Sequence, residues 1–151
     1  MDKIIHQTVR LHCGAQRAFE MFTVNECLQS WLATLAEVEP EGGGKYELFW
    51  NPNEREQAST LGCKVTAIEP EQLLAFEWKG PPQFSHVMNT ADPLTHVVVC
   101  FVPSDELFTA STDIHLIHSG WHSTWEWELA RQWHIRAWEE AFVQLRGLVN
   151  R

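Results

Sequence analysis

Residues 125–149, WEWELARQWHIRAWEEAFVQLRGLV, decide the fold of this chain. Their apolar side chains recur at the 3.6-residue spacing of an α-helix, which predicts one long helix over the whole stretch. His134 lies near the middle of the apolar face and Arg131 lies at its edge. The apolar face carries Trp127, Ala130, Ala137, Trp138, Ala141, Leu145 and Leu148, and the opposite face is charged and polar.

The segments before this helix have the two-residue period of β-strands. Val97, Val99 and Phe101, for example, share one face of a strongly β-branched stretch. The predicted strands are residues 36–40, 45–50, 61–68, 73–78, 95–102 and 108–119. Residues 51–59 are predicted as a polar hairpin loop, and residues 80–94, which contain Gly80, Pro81, Pro82 and Pro93, as the longest irregular segment.

The N-terminal part adds a strand over residues 4–12 and two short helices. Gly14 ends the strand, residues 15–23 have helical spacing, and Asn25 is a candidate N-cap for a second helix that ends at residues 31–32. This element order predicts an α+β helix-grip fold, a curved antiparallel sheet of about seven strands around a long C-terminal helix. We expect residues 1–151 to form a single domain.

Composition limits the class of partner. The 151 residues carry 11 Lys and Arg against 20 Asp and Glu, a formal charge of −9. Nucleic-acid and anionic membrane surfaces attract clustered cations, and the chain has no Lys/Arg run, so we expect neither as a partner. No apolar run approaches the ~20 residues of a membrane span. The N-terminus lacks a signal-peptide pattern, and we expect a cytoplasmic protein.

Cysteine and histidine spacing argues against a metal or redox site. Cys13, Cys27, Cys63 and Cys100 include no C-x-x-C pair, and we expect four reduced thiols. His115, His118 and His122 look like a cluster, but residues three apart on a strand face opposite sides. We therefore expect no metal and no cofactor.

Several motifs in their order along the chain resemble a known family. They are TVRLHCGAQRAFEMFT at residues 8–23, VEPEGGGKYEL at 38–48, GCKVTAIEPEQLLAFEW at 62–78, HVVVCFVP at 96–103 and TDIHLIHSGW at 112–121. Together they resemble the SRPBCC (START-related, birch-pollen-allergen-like) superfamily, and within it the activators of the ATPase of heat-shock protein 90 in their stand-alone bacterial form. The resemblance implies the helix-grip fold and permits a chaperone-linked role.

A helix held by a curved sheet leaves a space between the two, and aromatic side chains decide whether that space is filled. The chain has eight Trp, eight Phe and one Tyr. The alternation of side chains along the strands and the helical spacing of residues 125–149 predict that a set of side chains points into this space. We predict that these side chains bind a ligand. They are Tyr46, Trp50, Phe76, Trp78, Val99, Phe101, Leu116, His118, Trp127, Arg131, His134 and Trp138.

Three functions remain open. The first is binding of a small hydrophobic or aromatic molecule. The second is a chaperone-linked regulatory role in the stress response, exerted through the surface. The third is a cavity enzyme of the cyclase or hydrolase type, with His118 and His134 as the acid–base set; enzyme motifs are absent, and His134 could equally be a core residue bonded to a backbone carbonyl. Phe49, Ile117 or Trp125 could mark a homodimer patch; otherwise the protein is a monomer.

Overall fold

The structure is a computed structural model that describes residues 3–104 and 110–151. These described residues form eleven helices and strands, besides a short 3-10 turn over Pro82–Phe84. They are β1 (Ile5–Leu11), α1 (Ala15–Thr23), α2 (Asn25–Trp31), β2 (Leu35–Val38), β3 (Tyr46–Phe49), β4 (Val65–Glu69), β5 (Leu73–Trp78), α3 (Ser85–Met88), β6 (Thr95–Pro103), β7 (Thr112–Ser119) and α4 (Trp125–Val149).

The main sheet has five antiparallel strands in the order β1-β7-β6-β5-β4. Buried and partly exposed residues alternate along β7, as expected for a sheet with one face on the core. Strands β2 and β3 form a separate antiparallel pair. The predicted α+β helix-grip architecture is confirmed, and its seven strands are divided between two sheets.

The division occurs because the segment before β4 is irregular where a regular strand was predicted from residue 61. Gly62 has a positive φ of 90°, which turns the chain out of the extended conformation. Tyr46 in β3 still donates its backbone N–H to Cys63 O at 2.8 Å, and Lys45 forms an isolated bridge with Lys64. The small sheet is thereby joined to the edge of the main sheet through single backbone bonds.

Helices α1 and α2 close one end of the sheet. Phe22 and Trp31 pack edge to face at 5.0 Å, and Trp31 Nε1 donates to Met21 O at 2.8 Å. The prediction that Asn25 caps α2 is wrong, because Val24 is the N-cap residue. Asn25 Oδ1 instead accepts the backbone N–H of Val38 at 2.8 Å and so ties α2 to β2.

Helix α4 has the predicted bounds and lies against the sheet, and it is fixed at both ends. Thr124 Oγ1 accepts the backbone N–H of Trp127 as an N-cap. At the other end Asn150 Oδ1 accepts His12 N–H at 2.7 Å and Asn150 Nδ2 donates to Arg10 O at 3.0 Å. The buried residues of the helix are Trp127, Ala130, His134, Trp138, Phe142 and Leu145.

Two expectations for single elements need correction. Residues 80–94 contain the 3-10 turn and α3, because Pro82 starts a local turn in a segment that was predicted to be irregular. Phe49 is fully buried and not an exposed patch residue, since Arg55 from the hairpin loop lies over its ring at 4.1 Å. Strand β7 begins at Thr112, and part of the predicted earlier start lies outside the described residues.

No helix in the described part of the chain is long and apolar enough to cross a membrane.

Candidate functional site

A cavity of about 300 Å³ lies between the middle of α4 and one end of the two sheets. This is at the small end of the range of roughly 300–1,000 Å³ found for small-molecule sites. Helix α4 forms one wall, and the end of β5, the hairpin loop after β3 and the end of α2 form the others. The lining residues are Leu32, Trp50, Ala58, Ser59, Trp78, Lys79, Gly80, Pro81, Trp133, His134, Ala137, Trp138 and Ala141.

Four of the eight tryptophans line this cavity. Trp78 and Trp138 form its inner wall, with ring centroids 5.0 Å apart. Trp50 and Trp133 lie at its mouth and are 38% and 40% exposed. Trp50 Nε1 donates to Leu32 O at 2.8 Å, which fixes the orientation of that indole. Flat π-surfaces of this kind favour a flat apolar ligand.

Small residues keep the cavity open between these large rings. Ala137 and Ala141 are one helical turn apart on α4, and both face the cavity. Gly80 lines the opposite side, where an added methyl group would overlap the Met88 side chain of α3. The Asn89 side chain holds the Gly80 backbone from both directions, with Oδ1 accepting Gly80 N–H at 2.7 Å and Nδ2 donating to Gly80 O at 3.2 Å.

His134 lines the cavity and carries an unpaired hydrogen-bond acceptor. Its Nδ1 lies 2.8 Å from Ala130 O, and because a carbonyl oxygen only accepts, Nδ1 carries the proton and donates. The other nitrogen, Nε2, is buried without a partner. Burial lowers the pKa of His134 to about 4, so the ring is neutral near pH 7. The carbonyl bond expected of a core histidine is confirmed, and it leaves Nε2 free to accept.

Trp78 also lines the cavity and carries an unpaired hydrogen-bond donor. Its ring is 5% exposed and its Nε1–H has no hydrogen-bond partner. Buried polar atoms are nearly always paired, and leaving one unpaired costs about 1–3 kcal/mol. Among the described buried side chains three polar atoms lack a partner, and those of Trp78 and His134 both belong to cavity residues.

Lys79 is the one residue with a formal charge among those that line the cavity. Its Nζ donates to Leu61 O at 2.7 Å, which directs the ammonium group toward the segment before β4.

His118 lies behind the cavity wall and has partners on both nitrogens. Nδ1 accepts from Trp138 Nε1 at 3.1 Å, so the Nε2–H of the neutral ring donates to Thr95 Oγ1 at 3.0 Å. Burial, together with the nearby His134 and His96, lowers the pKa of His118 well below its ordinary value. The rings of His118 and His134 have centroids 5.5 Å apart. In this arrangement His118 orients Trp138 and does not form an acid–base pair with His134 at the cavity.

The twelve residues predicted from parity fall into two groups. Trp50, Trp78, His134 and Trp138 line the cavity, and the other eight do not. Tyr46, for example, is fully buried, stacks on Phe76 at 3.8 Å and donates its hydroxyl to Phe22 O at 2.8 Å. The other six away from the cavity are Val99, Phe101, Leu116, His118 and Trp127, all buried, and the part-buried Arg131.

Arg131 and Trp127 lie one and two turns before the cavity on α4. The guanidinium of Arg131 is paired with Glu128, and its hydrogen bonds, with those of Gln132 and Lys3, lower the pKa of the Glu128 carboxyl to about 2. Trp127 stacks on His122 at 4.2 Å and packs on Trp121. Neither side chain lines the cavity, because Arg131 is turned to Glu128 and Trp127 packs on rings of the segment after β7.

Several lining residues were not among the predicted site residues. Ala58, Ser59, Lys79, Gly80 and Pro81 come from loops, where neither period of alternation applies. Trp133 lies next to His134 but outside the apolar stripe, and Leu32 ends α2. The pair Ala137 and Ala141 was a usable signal, because small residues on an otherwise bulky stripe leave space.

His115 and Asp113 of β7 are engaged on the outer face of the sheet. His115 Nδ1 lies 3.1 Å from His6 Nε2, and Asp113 pairs with Arg10 at 2.8 Å. His115 and His118 therefore face opposite sides, as the strand alternation predicted. Among the described residues, no three His, Cys, Asp or Glu side chains are placed to hold a metal ion.

Comparison with known proteins identifies relatives of this fold. No curated protein matches the chain. A protein from Mesorhizobium loti is 15% identical with a TM-score of 0.75, covering 98% of this chain and 97% of that one. The Aha1 dimer from Colwellia psychrerythraea is 14% identical with a TM-score of 0.68, covering 97% and 96%.

An HSP90 activator from Plasmodium falciparum is 19% identical with a TM-score of 0.65, covering 93% of this chain and 90% of that one. At these identities the likeness concerns the fold. A family model described as activator of Hsp90 ATPase homolog 1-like protein matches residues 12–150. Because this match spans nearly the whole chain, the chain belongs to the family of activator of Hsp90 ATPase homolog 1-like proteins.

Proposed function

We propose that this protein binds a small, flat, apolar molecule in the cavity between α4 and the sheets. The observation that carries the proposal is an aromatic-walled cavity of about 300 Å³ that the chain's own side chains leave open. Trp78 and Trp138 supply buried π-faces, and Trp50 and Trp133 supply a half-exposed mouth. A flat ligand that covers these rings would remove apolar surface from water at about 25 cal/mol per Å².

The arrangement differs from incidental loose packing. Cores are normally packed to the density of organic crystals, and voids larger than a water molecule are few. Here the side chains around the void are oriented by hydrogen bonds: Trp50 to Leu32 O and Trp138 to His118 Nδ1. Rings held in this way keep their positions when the space between them is empty, which preorganises a binding site.

Native mass spectrometry of freshly purified protein, set beside its denatured mass, tests whether a ligand is retained. Titration with naphthalene, followed by tryptophan fluorescence, tests the cavity itself. We expect saturable binding that Ala137→Leu weakens at least about tenfold, because the leucine fills the space. Val143→Leu is the matched control, since Val143 is exposed on the same helix. Equal naphthalene affinity in the two variants, or no binding by any of the proteins, would contradict the proposal.

A second candidate is a protein contact through the exposed side of α4, as expected for a chaperone-linked role. Trp125 and Leu129 lie one helical turn apart and are 72% and 51% exposed. Large exposed apolar residues that are neighbours on a helix favour an interface. Two proteins of similar fold are described as an HSP90 activator and as a dimer, which makes Hsp90 or a second copy the partner to test first.

Sedimentation of the purified protein and measurement of Hsp90 ATPase turnover in its presence separate these partners. Under this candidate, Trp125→Ser abolishes either self-association or ATPase stimulation and leaves naphthalene binding unchanged. A monomeric protein without effect on the ATPase would remove this candidate.

A further inference from the structure

Two residues that line the cavity, Trp78 and His134, each carry a buried polar atom without a partner, and these atoms carry an inference about the chemistry of the ligand. We propose that the ligand is a neutral apolar molecule with a hydroxyl group, which donates to His134 Nε2 and accepts from Trp78 Nε1–H. This proposal rests on the proposed function, because it names the polar group that the same cavity recognises.

The role of His134 follows from its hydrogen bond inside α4. Ala130 O holds the proton on Nδ1, so Nε2 is limited to accepting. The ring cannot turn easily to present its other edge, since it packs on Trp121 at 5.2 Å and on Trp133 at 4.8 Å. The pKa lowered by burial keeps the ring neutral, so a carboxylate or phosphate would meet the lone pair of Nε2 and not a positive charge. His134 therefore requires a donor from the ligand.

Trp78 requires the opposite partner. An indole N–H only donates, and this one is buried without an acceptor. The ring is held by Trp138 at 5.0 Å, Trp50 at 5.9 Å and Phe76 at 6.1 Å. Trp78 also packs on His118, which packs on His134, so the two unpaired atoms belong to one cluster of rings.

A hydroxyl is the simplest group that meets both requirements, because one O–H donates and its oxygen accepts. An ether or ketone would pair Trp78 and leave His134 unpaired. An aromatic N–H would do the reverse. A carboxylate could accept from Trp78 and be attracted by Lys79, which is the charged alternative that a test must separate. An ordered water molecule could also pair the two atoms, and then the ligand would need no polar group.

Four naphthalene probes separate these cases on the unmodified protein at pH 7: naphthalene, 2-naphthol, 2-methoxynaphthalene and 2-naphthoate. We expect 2-naphthol to bind about tenfold tighter than naphthalene, because it pairs two buried atoms. We expect 2-methoxynaphthalene to lose most of that gain, since it cannot donate. Isothermal titration or tryptophan fluorescence gives the four Kd values.

The outcomes are distinguishable from failure of the proposed function. If naphthalene binds and 2-naphthol binds no tighter, the ligand hydroxyl does not pair Trp78 Nε1 and His134 Nε2, and the hydroxyl proposal is wrong. If 2-naphthoate binds tightest, the cavity recognises an anion through Lys79 and the proposal is equally wrong. If none of the probes binds, the proposed function itself fails.

Variants assign the two hydrogen bonds. Trp78→Phe keeps an aromatic wall and removes the donor, and His134→Leu removes the acceptor. Each should reduce the 2-naphthol preference over naphthalene to about one- to threefold. Trp125→Phe is the matched control, because it removes an exposed indole N–H outside the cavity. The same preference in Trp78→Phe as in Trp125→Phe would overturn the assignment of Trp78.

Nuclear magnetic resonance adds a readout that does not depend on the cavity variants folding well. The chain has eight indole N–H groups, and comparison with Trp78→Phe identifies the Trp78 signal. We expect 2-naphthol to move that proton signal downfield and naphthalene to leave it near its free position, because only the first supplies an acceptor. If that variant does not fold, standard backbone assignment identifies the signal. A Trp78 signal that responds equally to both probes would contradict the hydrogen bond.

Discussion

The space between α4 and the sheets is filled beside the C-terminal part of the helix (the filled end) and open beside its middle (the open end), although aromatic rings dominate both regions. At the filled end Phe22 contacts Trp31, Phe101 and Phe142 edge to face, with centroids 5.0, 5.5 and 6.5 Å apart. At the open end Trp78 and Trp138 meet at 5.0 Å and border the cavity. The number of aromatic side chains therefore does not decide whether the space is filled.

The two ends differ in the segments that cover them and in the small residues that lie between the aromatic rings. Helices α1 and α2 lie over the filled end and insert Phe22 and Trp31 against Phe142 of α4. At the open end the cover consists mainly of loop residues, with the ends of α2 and β5, and α4 presents Ala137 and Ala141 there. Side chains of one helix thus form a core near its C-terminal end and the wall of a cavity in its middle.

The largest expected effect comes from breaking the filled end. Phe142→Ala should lower the free energy of unfolding by about 3–5 kcal/mol, because it deletes a buried ring that its neighbours cannot replace. Val143→Ala, an exposed position beside it, should change stability by no more than about 0.5 kcal/mol. Urea unfolding measures both. A loss below about 1 kcal/mol for Phe142→Ala would mean that the filled end is as loose as the open one.

Acid should destabilise the open end through His134. Its pKa is lowered to about 4 in the folded protein from an ordinary value of 6.5. Between these values the unfolded chain binds a proton that the folded chain does not, so the free energy of unfolding falls as the pH falls through this window. The loss attributable to His134 is on the order of 3 kcal/mol by pH 4. His118, whose pKa is also lowered, acts in the same direction.

A non-titrating variant isolates this effect from the carboxyl groups. Urea unfolding of the unmodified protein and of His134→Gln is compared at pH 7, 6 and 5. The stability advantage of the unmodified protein should shrink at each step down in pH. A difference that stays constant over this range would show that His134 titrates with an ordinary pKa.

Replacement of an alanine by leucine should change the free energy of unfolding in opposite directions at the filled and the open end. Ala18→Leu in α1 adds atoms to a fully buried position, and overpacking should cost about 1–3 kcal/mol. Ala141→Leu adds the same atoms beside the cavity and should stabilise the protein by about 0.5–2 kcal/mol while it excludes naphthalene. Thermal or urea unfolding of the two variants checks the signs. Equal destabilisation by both would mean that no usable space exists next to Ala141.

The smallest effect on stability is expected at the mouth of the cavity. Trp133 is 40% exposed and contacts Phe84 at 6.3 Å. Trp133→Ala should change the free energy of unfolding by about 1 kcal/mol or less. It should nevertheless weaken naphthalene binding, because a wall of the site is lost. A stability loss as large as that of Phe142→Ala would place Trp133 in the core.

The sequence alone was sufficient for the order and type of most elements, because each rests on a local period. Helix α4 and strand β5 begin and end where the periodicity predicted. The alternation along the strands also predicts correctly that Tyr46 and Phe76 point into the core. This alternation gives the direction of a side chain and not the depth of the space in front of it. For that reason eight of the twelve predicted site residues lie away from the cavity.

The remaining differences come from long-range contacts that no local pattern encodes. Phe49 alternates as an outward residue of β3, yet Arg55 from the following loop covers it. Asn25 has the side chain of a helix cap, yet it bonds to Val38. The cavity side formed by Ala58, Gly80 and Pro81 depends on how two loops meet, and loop sequences carry no period from which that meeting could be predicted.

The attachment of α4 at both of its ends has an evolutionary consequence. Thr124 secures the first turn, and Asn150 joins the end of the helix to β1 through Arg10 and His12. Substitutions at Ala137 or Ala141, midway between these anchors, reshape the cavity without releasing the helix from the sheet. Under the proposed function, a lineage could therefore exchange one ligand for another by a few replacements in the centre of α4, while selection for stability acts on the anchors and on the filled end.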